Sequence, residues 1–257
     1  MAEFVEIERR DAVAVVHLRR PPLNVLCRAM VVELAATAAA LARDGEVRAV
    51  VLWGGRHFSA GADVEEFAAM TVAEVHAYGT DLDAAFRGLA GLPQVTIAAV
   101  NGYALGGGCE LALTADLRLA GDRATFGLPE IQLGLIPGAG GTQRLPGLVG
   151  AGRAKELIFT GRHVKADEAL AIGLANAVFP AGELLDQALG AATRYADGPT
   201  IALRAAKQAI DAATGATTAG LDLERSLFSM LFGTEDWHRG ATSFTQQGPG
   251  KATFVGR

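Results

Sequence analysis

The chain has 257 residues, about half of them hydrophobic, and a net charge of −5. This length and apolar content fit a folded protein with a sizeable core and exclude a disordered or fibrous chain. Asp and Glu outnumber Lys and Arg, and no basic cluster stands out, which argues against nucleic acid as a partner.

The same composition gives expectations about compartment and redox chemistry. The first residues alternate like a β-strand and show no export signal, which predicts a cytoplasmic protein. The most apolar stretch, residues 89–113, is interrupted by Pro93, Asn101, several glycines and Glu110, so we expect no membrane span. Only two cysteines occur, at 27 and 109, and we expect small buried hydrophobes rather than a disulfide or a metal site.

Strands and helices are predicted in alternation along the first two thirds of the chain. Runs rich in β-branched residues predict strands, and apolar residues at helical spacing predict helices. In chain order we predict a strand at 13–18, a helix at 28–43, a strand at 47–54, a helix at 73–89, and strands at 95–102 and 116–120. This alternation predicts an α/β fold.

The pattern changes after Gly198-Pro199. From there the sequence is mainly helical, and the Gly-Pro-Gly at 248–250 is typical of a loose tail. We therefore predict a core formed by residues 1–197 and a helical C-terminal region formed by residues 198–257.

Two glutamates stand alone among apolar residues. Glu110 is the only charged residue between positions 87 and 116, and Glu130 is the only one between positions 123 and 144. Burial of an unpaired carboxylate raises its pKa, which is the property that a general acid or base needs near neutral pH. The pair therefore suggests an acid-base site. The alternative is that each glutamate pairs with a distant arginine or reaches solvent at a helix end.

Two glycine-containing segments follow predicted strands. Residues 106–108 are three glycines between the strand at 95–102 and the helix that carries Glu110, so their N–H groups and the positive helix end can face an anion. The segment FSAGAD at 58–63 follows the strand at 47–54 and leads into a predicted helix with Asp63 near its start. The glycine motifs lack the spacing and the lysine of nucleotide-binding loops. Ordinary tight turns are the alternative for each segment.

Three long motifs occur in order: HFSAGAD at 57–63, AVNGYALGGGCELALTAD at 99–116 and FGLPEIQLGLIPGAGGTQRLP at 126–146. Together they resemble the crotonase, or enoyl-CoA hydratase/isomerase, family, and the chain is most similar to the enoyl-CoA hydratases within it. The similarity extends over nearly the whole chain. It implies a spiral of ββα units, with residues 198–257 as a helical trimerisation region, and assembly as a homotrimer or a dimer of trimers.

The resemblance also implies a reaction and its residues. It implies water addition across the 2,3 double bond of a 2-enoyl-CoA, as in fatty acid β-oxidation, with Glu110 activating water and Glu130 protonating C2. The backbone N–H groups of Ala62 and Gly107 would form the oxyanion hole. Coenzyme A belongs to the substrate, so no separate cofactor and no metal are expected. Other residues expected at the substrate are Ala60, Gly61, Asp63, Val64, Gly106, Gly108, Pro129 and Gly138. Expected acyl-pocket walls, for which core packing is the alternative, are Phe67, Met70, Phe232 and Trp237.

Departures from the family pattern concern the CoA end. Gln94 stands where family members often carry a lysine, and the C-terminal tail has few basic residues. The remaining candidates for phosphate contact are Arg19, Arg20, Arg28 and Lys251.

Other functions on the same fold stay open. An isomerase commonly relies on one carboxylate, so two glutamates favour hydration over isomerisation. A hydrolase or another acyl-CoA lyase would use the same oxyanion hole, because fold does not fix chemistry. A non-catalytic acyl-CoA sensor or an RNA-binding relative would have no evident use for the glutamate pair.

Overall fold

The computed structural model of the chain describes residues 3–212, 228, 230, 231, 233–247 and 251–257. The strands are β1 (Val5–Arg10), β2 (Val13–Leu18), β3 (Ala49–Trp53), β4 (Val95–Val100), β5 (Tyr103–Leu105), β6 (Leu117–Gly121), β7 (Thr125–Gly127), β8 (Val164–Lys165) and β9 (Ala177–Phe179). The helices are α1 (Arg28–Leu41), α2 (Val64–Ala68), α3 (Val72–Ala90), α4 (Gly107–Ala112), α5 (Gly141–Val149), α6 (Ala151–Thr160), α7 (Ala166–Ala171), α8 (Leu184–Ala196), α9 (Thr200–Asp211) and α10 (Glu235–Gln247), with a 3₁₀ helix at Pro129–Leu133.

The four predicted strands correspond to β2, β3, β4 and β6, and the two predicted helices correspond to α1 and α3. Their ends differ from the prediction by at most two residues. Thr71 caps α3, and its hydroxyl and the carboxylate of Glu74 bond reciprocally to backbone N–H groups. The sequence patterns did not reveal the short strands β5, β7, β8 and β9, which have two or three residues each.

Two sheets organise the chain. The larger sheet has the strand order β1-β2-β3-β4-β6-β9, in which only β1 and β2 are antiparallel neighbours. The smaller sheet has the order β5-β7-β8. Strand β4 is followed by β5 and α4, and β6 is followed by β7, the 3₁₀ helix and α5. Each repeat thus places one strand in the large sheet and one in the small sheet before its helix, which is the predicted ββα pattern.

The large sheet is covered on both faces, and its central strands are mostly apolar, with Thr96 of β4 as a buried polar exception. Alternate residues of β2, β3 and β4, among them Val15, Val51 and Ile97, pack with α8 in one cluster. The residues between them, among them Val16 and Leu52, pack with α1, α3 and α4 in a larger cluster. Burial from both sides fixes the register of the parallel strands and hence the positions of the segments that follow them.

The carboxyl ends of β3 and β4 bring two loops together. Because these strands are parallel neighbours, residues 54–63 and 101–107 leave the sheet side by side. A parallel bridge between Ser59 and Ala104 joins them, with Ser59 N–H donating to Tyr103 O at 2.9 Å and Leu105 N–H donating to Ser59 O at 3.0 Å. Both glycine-containing motifs of the sequence therefore lie next to each other.

Two further expectations concern the cysteines and the membrane. Both cysteines are free, and Cys109 is buried whereas Cys27 is partly exposed. Within the described ranges, no helix has the length and apolar character needed to cross a membrane.

Candidate active site

The loop after β3 takes a sharp turn at Gly61. Its φ is 100°, a left-handed conformation that favours glycine, and a Cβ there would lie 2.7 Å from Leu105 O. The turn is held from the other side by Leu26, whose N–H donates to Gly61 O at 2.7 Å and whose carbonyl accepts from Asp63 N–H at 3.2 Å. Ala62 lies between these two bonded residues, and its N–H takes no part in either bond.

A second unpaired N–H lies beside the first. Gly107 is the first residue of α4, so its N–H has no partner within the helix. A Cβ on Gly107 would be 3.7 Å from Ala62 N, which shows how closely the two segments approach. Among the described residues, neither N–H donates a hydrogen bond to a protein acceptor. The two groups are therefore free to bind one oxygen of a ligand at the positive end of α4.

Glu110 lies in the first turn of α4 and is only 2% exposed. Its Oε1 accepts hydrogen bonds from Ala139 N–H and Gly141 N–H, both at 2.8 Å. Burial raises the pKa of Glu110, and the two amide hydrogen bonds and the charge of Arg144 oppose that effect. Within the described chain Glu110 has no ion pair. Its second oxygen, Oε2, remains available to hold a water molecule.

Glu130 is the second residue of the 3₁₀ helix and is partly buried. Its Oε2 is buried and, among the described residues, has no hydrogen-bond partner. Burial, and to a smaller extent the nearby charge of Glu110, raises the pKa of Glu130 to about 7 against the opposing effect of a backbone hydrogen bond. At neutral pH, Glu130 is therefore about half protonated and can donate a proton.

Glu130 faces the glycine segment. A Cβ on Gly106 would lie 3.4 Å from Glu130 Oε1, and the φ of Gly106 is 51°. A larger residue at 106 would therefore push into the carboxylate as well as strain the backbone. Glu130 thus lies against the loop that carries the free N–H of Gly107.

A cavity of about 480 Å³ contains both glutamates and both free amides. Most of its wall is apolar, which keeps the carboxylates poorly solvated and accounts for their raised pKa values. The sequence-predicted residues that line it are Ala60, Gly61, Ala62, Val64, Phe67, Gly106, Gly107, Glu110, Pro129, Glu130 and Gly138. The structure therefore brings together residues that lie as far apart as 60 and 138 in the sequence.

Among the predicted residues that the structure describes, four do not line this cavity: Asp63, Gly108, Met70 and Trp237. Asp63 caps α2 by accepting from Glu66 N–H and pairs with Arg20 at 2.8 Å, so it shapes the loop rather than facing the cavity. Gly108 is buried against Ser59, whose carbonyl carbon would be 2.7 Å from an added Cβ, so its small size serves packing.

Met70 packs partly buried against the core and is not a cavity wall. Trp237 lies on α10 and lines a separate cavity of about 680 Å³ between α9, α10 and the C-terminal residues. The size and hydrophobicity of the Trp237 side chain did not determine which cavity it lines. Phe232, the fourth expected wall, lies outside the described residues.

Two walls of the cavity were not predicted from the sequence, and the first belongs to α3. Val75, Tyr78, Gly79 and Leu82 of α3 line it, and their spacing of three, four and seven residues places them on one helix face. That spacing was visible in the sequence, but nothing in it indicated that this face turns toward the glutamates. The buried Tyr78 hydroxyl donates to Leu26 O at 3.0 Å and so supports the residue that holds Gly61.

The opposite wall follows the 3₁₀ helix. It consists of large apolar side chains that are more than half exposed in the single chain: Leu133, Leu135 and Ile136. Such side chains can contact an apolar ligand or another chain.

The candidates for phosphate contact differ in availability. Gln94 is buried and its amide donates to Leu41 O at 2.8 Å at the end of α1, so it is structural. Arg20 is engaged with Asp63, and Arg19 pairs with Glu6. Arg28 is about half exposed and lies 3.5 Å from Asp81, whereas Lys251 is exposed. In the described part of the chain, no group of three or more His, Cys, Asp or Glu side chains could hold a metal ion.

Comparison with known proteins agrees with this geometry. Residues 8–254 match the Enoyl-CoA hydratase/isomerase family. The chain is 42% identical over 247 residues to the short-chain-enoyl-CoA hydratase of Clostridium acetobutylicum, covering 95% of each protein. It is 41% identical over 250 residues to the 2,3-dehydroadipyl-CoA hydratase of Escherichia coli, covering 96% of this chain and 97% of the relative.

Solved structures give the same result for the fold. The crystal structure of an enoyl-CoA hydratase from Bacillus anthracis superposes with a TM-score of 0.93 at 36% identity, over 99% of this chain and all of that one. The predicted crotonase-type fold is therefore confirmed. The extent of the sequence match and of the structural match leads to one conclusion: the chain belongs to the enoyl-CoA hydratase/isomerase family.

Proposed function

We propose that this protein is a hydro-lyase that adds water to the 2,3 double bond of a 2-enoyl-CoA and gives a 3-hydroxyacyl-CoA. One observation carries the proposal: two carboxylates with raised pKa values face the same cavity as two unpaired backbone N–H groups. The names of the relatives, which include hydratases of short-chain enoyl-CoA and of 2,3-dehydroadipyl-CoA, support this choice of reaction.

In this mechanism, the thioester oxygen accepts hydrogen bonds from Ala62 N–H and Gly107 N–H. Water addition at C3 moves electron density onto that oxygen, so the two donors bind the developing enolate more strongly than the neutral thioester. A donor of this kind contributes roughly 10² to 10³ in rate. The positive end of α4 adds to the stabilisation.

The two glutamates divide the proton transfers according to their surroundings. Glu110 is held through Oε1, so its other oxygen takes a proton from water while the water oxygen bonds to C3. Glu130 in its protonated form gives a proton to C2 as the enolate collapses. Water has then been added across the double bond, and the proton on Glu110 returns to Glu130 through solvent before the next turnover. Each transfer typically contributes about 10² to 10⁴ in rate.

The remaining features of the proposal concern cofactor, assembly and compartment. We propose that coenzyme A enters as part of the substrate and that no separate cofactor or metal takes part, so dialysis against a chelator should leave the activity unchanged. We further propose a homotrimer or a dimer of trimers assembled through residues 198–257. Exposed apolar side chains on that region, such as Ile210 and Phe228, support it, and sedimentation should give three or six chain masses. A cytoplasmic location stays a prediction.

The reaction is tested with purified protein and two substrates, crotonyl-CoA and a longer 2-enoyl-CoA, by following the loss of the conjugated enoyl absorbance. Glu110→Gln and Glu130→Gln should each lower kcat by about 10² or more, because each removes one proton transfer while keeping the shape of the side chain. Glu46→Gln is the matched control, since Glu46 is exposed on a loop outside the cavity.

The outcome separates the alternatives. Activity lost in both cavity variants and retained in the control supports hydration by two carboxylates. Binding of both thioesters without turnover by the wild type contradicts the proposal. Turnover of a 3-enoyl-CoA that survives loss of Glu110 would instead indicate an isomerase that works with Glu130 alone.

A further inference from the structure

The position of Glu110 depends on a loop that is distant in sequence. Among the described residues, its Oε1 is bonded to the N–H groups of Ala139 and Gly141 alone, which precede or open helix α5. A Cβ on Gly141 would lie 3.0 Å from Glu110 Oε1, so there is no room for a larger residue there. Whatever fixes residues 139–141 therefore fixes the carboxylate of Glu110.

Arg144 is the side chain that fixes this loop. Its Nη1 donates to Ala139 O at 2.9 Å, and its own backbone N–H donates to Gly140 O at 2.8 Å. The guanidinium group covers Gly140, where an added Cβ would be 2.9 Å from Arg144 Cζ and where φ is 105°. The side chain of Arg144 thus clamps the loop, whose amides point to Glu110, while its backbone N–H makes the first i→i−4 bond of α5.

The guanidinium of Arg144 is also the positive charge that acts on Glu110. Burial raises the pKa of Glu110, and the charge of Arg144 opposes this shift together with the two amide hydrogen bonds. Burial lowers the pKa of Arg144, and the charge of Glu110 opposes that shift. The other charged groups acting on Arg144 are Asp83 and Arg87 of α3, which form an ion pair with each other. Within the described ranges Arg144 has no ion pair of its own.

The titratable neighbours of Glu110 do not supply a comparable charge. The charge of Glu110 raises the pKa of Glu130 of the 3₁₀ helix, and Glu130 itself supplies no positive charge. Burial raises the pKa of Cys109 to about 12 and also raises the pKa of Tyr78, so both stay neutral at assay pH. Arg144 is therefore the neighbour that can keep Glu110 ionised beside Glu130.

We propose that Arg144 is a positioning residue for the base: its guanidinium holds the loop whose amides orient Glu110 and places a positive charge on that loop. The proposal rests on the proposed hydration insofar as Glu110 is the base. It predicts that the charge at position 144 controls the pH dependence, whereas the hydrogen bonding at this position controls the rate. Arg144 does not line the substrate cavity, so binding of the thioester should depend on it little.

The test compares Arg144→Gln and Arg144→Lys with Arg153→Gln, in which an exposed arginine of α6 is changed outside the site. Arg144→Gln should lower kcat about tenfold or more with little change in KM, because a small displacement of a catalytic group has a large effect on rate. The acidic limb of its pH–rate profile should move to higher pH, because Glu110 then binds a proton more readily. Arg144→Lys should keep the acidic limb in place, since the charge remains, while kcat still falls.

A purely structural role gives a different result. It would reduce rate, folded fraction and thermal stability together, at every pH, and leave the acidic limb where it is in the wild type. That outcome, or an unshifted limb with normal kcat in Arg144→Gln, overturns the proposal.

A second readout does not depend on enzymatic activity. The ¹³C carboxyl resonance of Glu110 is identified by its absence in Glu110→Gln. This resonance should titrate at higher pH in Arg144→Gln than in wild type, and near the wild-type pH in Arg144→Lys. The shift is expected even if the wild type turns over no enoyl-CoA. That combination would contradict the proposed function but not the role of Arg144. An unshifted resonance in a folded Arg144→Gln protein contradicts the role of Arg144 regardless of the reaction.

Discussion

Replacement of Glu130 by Gln should make the fold more stable while it lowers activity. In the folded protein the pKa of Glu130 is about 7, whereas the ordinary value is 4.5. Each pKa unit corresponds to about 1.4 kcal/mol, so ionising this carboxyl in the folded state costs about 3 kcal/mol more than in the unfolded chain. Glutamine keeps the shape of the side chain and cannot ionise, so it avoids this cost.

The sign of the pH dependence follows from the direction of the shift. Between about pH 4.5 and about pH 7 the folded state binds more protons at Glu130 than the unfolded state does, so this group contributes less stability as pH rises through that window. Above about pH 7 the contribution is constant. The stability gained in Glu130→Gln should therefore be small at acidic pH and reach about 3 kcal/mol at about pH 8.

Urea unfolding of the wild type and Glu130→Gln across this pH range measures the effect. Glu46→Gln, at an exposed carboxylate, should follow the wild type at every pH. A stability difference between wild type and Glu130→Gln that is absent, or that does not change with pH, would refute the reasoning that burial raises the pKa of this group.

Three further predictions concern the pH dependence of kcat/KM and the effects of two substitutions on the free energy of unfolding. The value of kcat/KM should fall above about pH 7, because the free enzyme must carry a proton on Glu130; a flat profile between about pH 7 and about pH 9 would contradict this. Gly61→Ala should lose stability by about 1–3 kcal/mol in urea unfolding, since φ is 100° and a backbone oxygen lies 2.7 Å from the added Cβ, whereas Gly138→Ala, with no atom within 4 Å, should not. Tyr78→Phe should lower the unfolding free energy by about 1 kcal/mol, because it removes the hydrogen bond to Leu26 O; unchanged stability would show that this bond contributes nothing.

The sequence predicted the parts of the site that leave a local signal. Glu110 and Glu130 were identifiable because an isolated charge in an apolar run is costly to bury. The glycines at 61 and 107 were identifiable from their place between a predicted strand and a predicted helix. The parallel pairing of β3 with β4 brings these segments together, whereas the alternation of strands and helices had predicted only an α/β fold.

Other parts depend on contacts that no local pattern encodes. The amides of Ala139 and Gly141 reach Glu110 across about thirty residues of chain, so their role follows only from the path of the backbone. Gly108 and Asp63 belong to the motifs that form the site, but neither lines the cavity. Gly108 packs against Ser59 and Asp63 pairs with Arg20, because adjacent residues on a turn point in different directions. The same holds for Trp237, a large apolar residue. Its hydrophobicity favours burial but does not determine which cavity it lines.

The central claim is that Glu110 and Glu130 together add water across the double bond of an enoyl thioester held by Ala62 and Gly107. The most direct measurement is mass spectrometry of the product formed from crotonyl-CoA in ¹⁸O-labelled water, with wild type and Glu110→Gln in parallel. We expect the wild type to give 3-hydroxybutyryl-CoA with one ¹⁸O at C3, and Glu110→Gln to give a trace of it. Crotonyl-CoA that is bound by the wild type and recovered unlabelled and unchanged would contradict the account.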